Sequence, residues 1–82
     1  MTANVSADNL LERITTNPDV MGGQACIRGT RVTAATLVGL VASGASQQQI
    51  LSGYPWLEAD DISAALVYAA WRLQEQEYVI PA

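Results

Sequence analysis

The sequence predicts a mainly α-helical fold: a three-helix bundle of helix-turn-helix type, preceded by a short N-terminal β-arm or hairpin. Two observations support this prediction. Before residue 33, turn-forming residues interrupt the chain every few positions, whereas after it apolar residues recur at the three- and four-residue spacing of helices. The chain has 82 residues, of which 50% are hydrophobic, and this length suffices for one domain with one small core.

The N-terminal part combines a polar end with short strand-like stretches. Residues 1–9 are polar and are expected to be flexible. Strands are predicted in 10–16, 25–28 and 31–33, where apolar and β-branched residues are bounded by turn formers. We interpret the glycines as turn residues, because their spacing does not fit a phosphate-binding loop. The residues assigned to turns are Pro18, Gly22, Gly23, Gly29 and Thr30.

The first two helices are predicted from their end signals. Thr33 is a suitable N-cap for the first helix, and Gly44 is placed to end it. Ser46 and Gln49 have the spacing of a capping box that opens the second helix. Pro55 ends this helix, because the residue before a proline is driven out of the α region.

The third helix is expected from about residue 58 to about residue 76, with Asp60 and Asp61 in its first turn. Trp56, just before it, is expected to close the end of the core. The predicted buried stripe of the third helix consists of Ile62, Ala65, Leu66, Ala69, Ala70 and Leu73. The expected organisation is a flexible 1–9 and a single domain 10–82, divided into β-arm 10–33, bundle 34–77 and apolar tail 78–82.

Charge is distributed unevenly along this acidic chain. The net charge is −4, with four arginines, no lysine and no histidine. Residues 10–36 contain three arginines and two carboxylates, whereas residues 45–82 contain one arginine and five carboxylates. Any contact with a polyanion is therefore expected in the N-terminal part. The candidate residues are Arg13, Arg28 and Arg31, with exposed or self-paired charges as the alternative interpretation.

The residue types present disfavour catalysis and cofactor binding. There is no histidine to act as a base, and Cys26 is the single cysteine, so an intrachain disulfide is impossible. Adjacent Asp60 and Asp61 on a helix point about 100° apart and do not form a facing pair. We therefore expect no enzyme activity, no metal and no cofactor. No signal peptide or membrane span is recognised, which favours a cytoplasmic protein.

Aromatic and apolar residues near the end of the chain are candidates for a partner or dimer interface. Trp and Tyr are frequent at interface hot spots, and a chain this small has little core with which to cover such groups. Packing back onto the bundle is the alternative for them. The candidate interface residues are Tyr68, Trp71, Tyr78, Val79 and Ile80.

Short segments between residues 10 and 70 carry sequence motifs that occur together in a known protein family. They are 14–23, 27–32, 43–44, 50–51, 54–55, 61–62, 64–66 and 68–69. This pattern resembles the bacterial family called domain of unknown function 433, whose members are often described as VapB-like antitoxins. Two departures are Gln24-Ala25, where the family commonly has Lys-Pro, and Glu58, where it commonly has Ser or Thr as a helix cap.

The resemblance implies a β-arm followed by a helix-turn-helix-like bundle and a PIN-like ribonuclease toxin as partner. We therefore expect an antitoxin-like protein that binds and neutralises such a nuclease, as a homodimer and with an arginine of the arm entering the acidic site of the toxin. The alternative is a DNA-binding regulator that contacts its own operator through the same arginines. The carboxylates at the start of the third helix disfavour the usual docking of that helix in the major groove.

Overall fold

A computed structural model describes residues 7–75, with side chains from Asn9 to Gln74. It confirms the mainly helical fold with a small N-terminal hairpin, but with four helices instead of three. The elements in chain order are α1 (Ala7–Leu11), β1 (Ile14–Thr15), a 3₁₀ turn (Met21–Gly23), β2 (Cys26–Ile27), α2 (Ala34–Ala42), α3 (Gln47–Gly53) and α4 (Ala59–Glu75).

Helix α1 corrects the prediction for the start of the chain. The sequence predicts a frayed end to residue 9 and a strand over 10–16, but Ala7–Leu11 is helical and only Ile14–Thr15 of the predicted strand is extended and paired. Helix α1 packs on α4, and Leu10 is buried. The tertiary contact decides the outcome, because burying Leu10 against α4 favours a helical turn that the polar local sequence does not signal.

The hairpin is short and lies next to the start of α2. Strands β1 and β2 are antiparallel, with Ile14 opposite Ile27 and Thr15 opposite Cys26. The predicted third extended piece, 31–33, contributes one bridge, between Thr33 and Cys26. The amide of Ala34 then donates to the Ala25 carbonyl at 2.8 Å, so the sheet and the first turn of α2 are joined directly.

The predicted turns are made by the residues assigned to them. Pro18 lies in the turn before the 3₁₀ segment, in which Met21, Gly22 and Gly23 all have positive φ. The tight turn between Ile27 and Val32 uses Gly29 at φ +78°, and Thr30 Oγ1 accepts from the Val32 amide at 3.0 Å. Met21, at φ +52°, is the unexpected member, since a side chain is disfavoured there.

The predicted ends of α2 and α3 are confirmed. Thr33 Oγ1 accepts from the Thr36 amide at 3.1 Å, and Gly44 follows α2 with φ +96°. Ser46 Oγ accepts from the Gln49 amide at 3.1 Å, while the Ser46 amide donates to Gln49 Oε1 at 2.8 Å. This reciprocal capping box satisfies two backbone amides at once and fixes the start of α3.

The hydrophobic core contains residues of strand β2 and of helices α2, α3 and α4. Leu37 is at its centre, with 0% of its surface exposed. The cluster consists of Ile27, Val32, Ala34, Leu37, Ile50, Leu57, Ile62 and Ala65. Helices α1 and α2 both pack on α4, so α4 is the helix that connects them.

Two predictions about burial around α4 are wrong. The predicted buried stripe includes Leu66, Ala70 and Leu73, but all three are exposed, Leu66 to 39% and Leu73 to 70%, whereas Ala64 is fully buried. The unpredicted α1 provides a second packing partner, which widens the buried face of the first half of α4. Trp56 does not close the core; it is 61% exposed in a T-shaped contact with Tyr54, and the smaller Leu57 is buried instead.

Candidate functional site

Arg13 lies between α1 and β1 and binds the start of α4. Its Nη1 lies 2.7 Å from Glu58 Oε1 and 3.0 Å from Asp61 Oδ1, and Nη2 lies 3.7 Å from Asp60 Oδ2. Hydrogen bonds to Glu58 and then to Asp61 raise the pKa of the guanidinium above its ordinary range. This arginine, predicted to contact a polyanion, is therefore already paired with carboxylates of its own chain.

The carboxylate of Asp61 connects this ion cluster to the helix backbone. Asp61 is 6% exposed, and its Oδ2 accepts from the Glu58 amide at 2.8 Å. Glu58 occupies the N-cap place without a hydroxyl, and Asp61, three residues on, supplies the returning half of a capping box. Arg13 holds the second oxygen of Asp61, so α4 begins on a hydrogen-bonded network instead of three repelling charges.

The other two candidate arginines flank the Gly29-Thr30 turn. Arg28 is exposed, and its Nη1 donates to the Glu12 carbonyl at 3.2 Å. Arg31 is exposed and forms no ion pair within the described part of the chain. The three candidate arginines therefore fall into two groups. Arg13 is ion-paired within the chain, whereas Arg28 and Arg31 are exposed to solvent.

A wide groove runs between α2 and α4 on another face of the bundle. Its volume is about 570 Å³, and it is open to solvent. Small and apolar side chains form most of it, and Arg72 is the single charged residue among those that line it. The lining residues are Gln24, Ala25, Ala34, Ala35, Val38, Gly39, Tyr68, Ala69, Arg72 and Leu73. This groove is not predicted from the sequence, because helical periodicity places Ala69 and Leu73 in the buried stripe.

The family is decided by comparison with known proteins. The model of a family described as "Protein of unknown function (DUF433)" matches residues 14–69. The chain belongs to the DUF433 family. The match covers the hairpin, α2, α3 and the first part of α4, so the Arg13 position just precedes it and Arg72 follows it.

Two relatives of this DUF433 chain extend the comparison. It is similar to an uncharacterized protein, y4eO, of Sinorhizobium fredii, with 40% identity over 58 residues that cover 71% of this chain and 26% of y4eO. It is also similar to the crystal structure of a DUF433 member from Anabaena variabilis, with 41% identity and a TM-score of 0.71. That alignment covers 77% of this chain and 62% of the solved chain. The chain therefore spans about a quarter of one relative and less than two thirds of the other.

Two of the candidate interface residues of this DUF433 chain lie beside the groove. The rings of Tyr68 and Trp71 are 6.0 Å apart at 52°, and Tyr68 packs against the core from the groove wall. Trp71 is 45% exposed, and its neighbour Leu73 is 70% exposed. The candidate residues Tyr78, Val79 and Ile80 lie outside the described residues.

The chemistry of the described residues offers few reactive groups. Cys26 is 2% exposed, and its thiol donates to the Gln24 carbonyl at 3.5 Å. Among the described side chains, those of residues 9–74, no three Cys, Asp or Glu are grouped so that they could hold a metal ion. None of the helices within residues 7–75 has the length and hydropathy needed to cross a membrane. Two surfaces of the described residues remain as candidates for binding: the groove between α2 and α4, and the Gly29-Thr30 turn flanked by Arg28 and Arg31.

Proposed function

We propose that this protein is an antitoxin-like interaction protein that binds and neutralises a PIN-like ribonuclease in the cytoplasm. The observation that supports this proposal is the open apolar groove between α2 and α4, in which Leu73 is exposed, with Trp71 exposed beside it. Exposed apolar surface is unfavourable in water, and contiguous patches of it usually mark a place where another protein binds.

The composition of this face favours protein binding over small-molecule binding. The groove contains few polar groups that could orient a small ligand, since only Gln24, Tyr68 and Arg72 carry polar side-chain atoms there. An exposed Trp beside a half-buried Tyr is typical of the residues that contribute most at protein interfaces. The partner would cover these rings and the groove together.

Inhibition requires a group that reaches the acidic site of the nuclease. Arg28 and Arg31 extend from one turn and are exposed, with one Arg28 nitrogen bonded to the Glu12 carbonyl, whereas Arg13 is held by three carboxylates of the same chain. A guanidinium forms two parallel hydrogen bonds with a carboxylate, which makes arginine the suitable residue for blocking such a site. We assign this role to Arg28 and Arg31.

The experiment co-expresses the chain with the product of the adjacent reading frame, which the proposal requires to be a PIN-like nuclease, and measures complex formation and RNA cleavage. Trp71→Ser is compared with Trp56→Ser, which removes an exposed tryptophan away from the groove. We expect the wild type and the Trp56 variant to elute with the nuclease and inhibit it, and the Trp71 variant to lose both effects. Absence of any complex with the wild-type chain would overturn the proposal.

A second candidate function is DNA binding by an autoregulator, favoured by the two solvent-facing arginines on one turn. A homodimer would place two such turns on one operator and so double the number of phosphate contacts. The test is a gel-shift titration of the promoter at several salt concentrations with Arg28→Ala/Arg31→Ala. Loss of a salt-dependent shift in this variant supports the candidate, and an unchanged shift excludes the arm as the contact.

A further inference from the structure

Arg72 is an unusual residue in the groove between α2 and α4. All the other residues that line this groove are uncharged, and no described side chain forms an ion pair with Arg72. Two arginines of the N-terminal arm differ from Arg72 in this respect. Arg13 has three carboxylate partners, and Arg28 donates to a backbone carbonyl. Among the residues whose side chains the structure describes, the groove thus presents one positive charge without an ion-pair partner at an apolar surface.

Gly39 leaves a gap in the wall of the same groove. It lies inside α2, where glycine is among the least favourable residues, and its φ is not in the left-handed region. A Cβ placed on Gly39 would meet no atom within 4 Å. Nothing in the described chain therefore requires glycine here, whereas a second backbone that approached α2 closely would need the space.

We propose that the groove binds an amphipathic α-helix of the partner, with a carboxylate on that helix paired with Arg72. Apolar side chains at the three- and four-residue spacing of the partner helix enter the groove between Val38 and Tyr68, and its backbone passes over Gly39. The proposal deepens the proposed function, because it specifies which kind of partner segment the same face accepts.

A helix fits this groove better than an extended strand does. Both walls are helices, α2 and α4, whose backbone groups are already paired within the helices, so they offer no edge to an added strand. A volume of about 570 Å³ is in the range of pockets that hold several side chains. A helix bound in the groove would exclude water from its walls and so strengthen the attraction between Arg72 and a carboxylate relative to the open groove.

The test selects phage-displayed peptides from a library built on a 20-residue helix with eight randomised positions on one face. The baits are the wild-type chain, Arg72→Glu and Gly39→Leu, with Arg31→Glu and Gly53→Leu as matched controls away from the groove. We expect the wild type to enrich an apolar stripe with Asp or Glu at one fixed position. With Arg72→Glu as bait, that position should change to Lys or Arg.

Synthetic peptides then give the affinities. The selected acidic peptide should bind Arg72→Glu about tenfold or more weakly than the wild type, since a charge-assisted hydrogen bond is lost. Gly39→Leu should abolish binding, with circular dichroism showing that it remains helical, and both controls should bind as the wild type does.

Three results would overturn the inference: no apolar stripe selected by the wild type, a selected charge that does not follow residue 72, or unchanged binding to Gly39→Leu. These outcomes are separate from the fate of the proposed function, because the selection does not use the nuclease. A nuclease that is inhibited equally by the wild type and Gly39→Leu would sustain the proposed function and reject the groove as its site.

Discussion

Arg13 Nη1 lies 3.0 Å from Asp61 Oδ1 and thereby joins residues 48 positions apart in the sequence. The contact connects the segment between α1 and β1 to the first turn of α4, the helix on which α1 and α2 both pack. Without it, the buried carboxylate of Asp61 would keep one hydrogen bond, from the Glu58 amide. The start of the central helix therefore depends on a residue of the N-terminal arm.

Replacement of Arg13 by Met should destabilise the fold by about 2 kcal/mol, because the nearly buried carboxylate of Asp61 loses a charged donor and the carboxylates at the start of α4 repel one another. The value is set below that of a fully buried ion pair because Arg13 and Glu58 are partly exposed to solvent. Urea denaturation followed by circular dichroism measures the free energy of unfolding.

The matched control for Arg13→Met is Arg28→Met, which removes an exposed arginine whose bond goes to a backbone carbonyl. We expect it to change the free energy of unfolding by less than about 0.5 kcal/mol. In double-mutant cycles, Asp61→Asn should show a larger coupling with Arg13→Met than Asp60→Asn does, since the Asp60 contact is longer, at 3.7 Å. Equal coupling for both would contradict the network described.

The local parts of the fold could be predicted from the sequence. Several of these features depend only on residues within a few positions of one another, so they can be inferred from the local sequence. They are the helix caps at Thr33 and Ser46, the helix end at Gly44 and the turn at Gly29. Helix α1 could not be predicted, because five residues have little helical tendency alone and its stability comes from packing on α4.

The candidate site was harder to predict for the same reason. The arginines of the arm were recognised, but the pairing of Arg13 with Glu58 crosses 45 positions, and no spacing rule indicates it. The groove was missed because helical periodicity cannot distinguish a stripe covered by the core from one left open. Tyr68 and Trp71 are predicted from residue type and from their position at or beyond the edge of the helical stripe, and they lie at and next to the groove.

Replacement of Ser46 by Ala should cost about 1 kcal/mol, because the Gln49 amide loses its acceptor and the capping box of α3 is broken. Thermal denaturation followed at 222 nm measures the change. Ser43→Ala is the control, since its hydroxyl donates to the Leu40 carbonyl at the other side of the same loop and caps no amide. A loss as large in Ser43→Ala as in Ser46→Ala would argue against the capping role.

Replacement of Leu37 by Ala should cost about 3 kcal/mol or more, because this side chain is fully buried and the cavity it leaves is enclosed by the core. In a domain of this size, that loss is a large part of the total stability. Leu73→Ala, at a site that is 70% exposed, should cost less than about 1 kcal/mol. If the variant of Leu37 does not fold, Leu37→Val gives a smaller loss that urea denaturation can still quantify.

Gly39→Ala should separate stability from binding. Alanine is about 1 kcal/mol better than glycine inside a helix, and its Cβ meets no atom at this position, so the variant should unfold several degrees higher than the wild type. The same methyl group occupies the gap in the groove wall and should weaken binding of the selected acidic helix. Gly53→Ala, on α3 and away from the groove, should leave binding unchanged. Scanning calorimetry and isothermal titration measure the two effects, and a Gly39→Ala variant that gains stability without losing affinity would show that no partner backbone passes over residue 39.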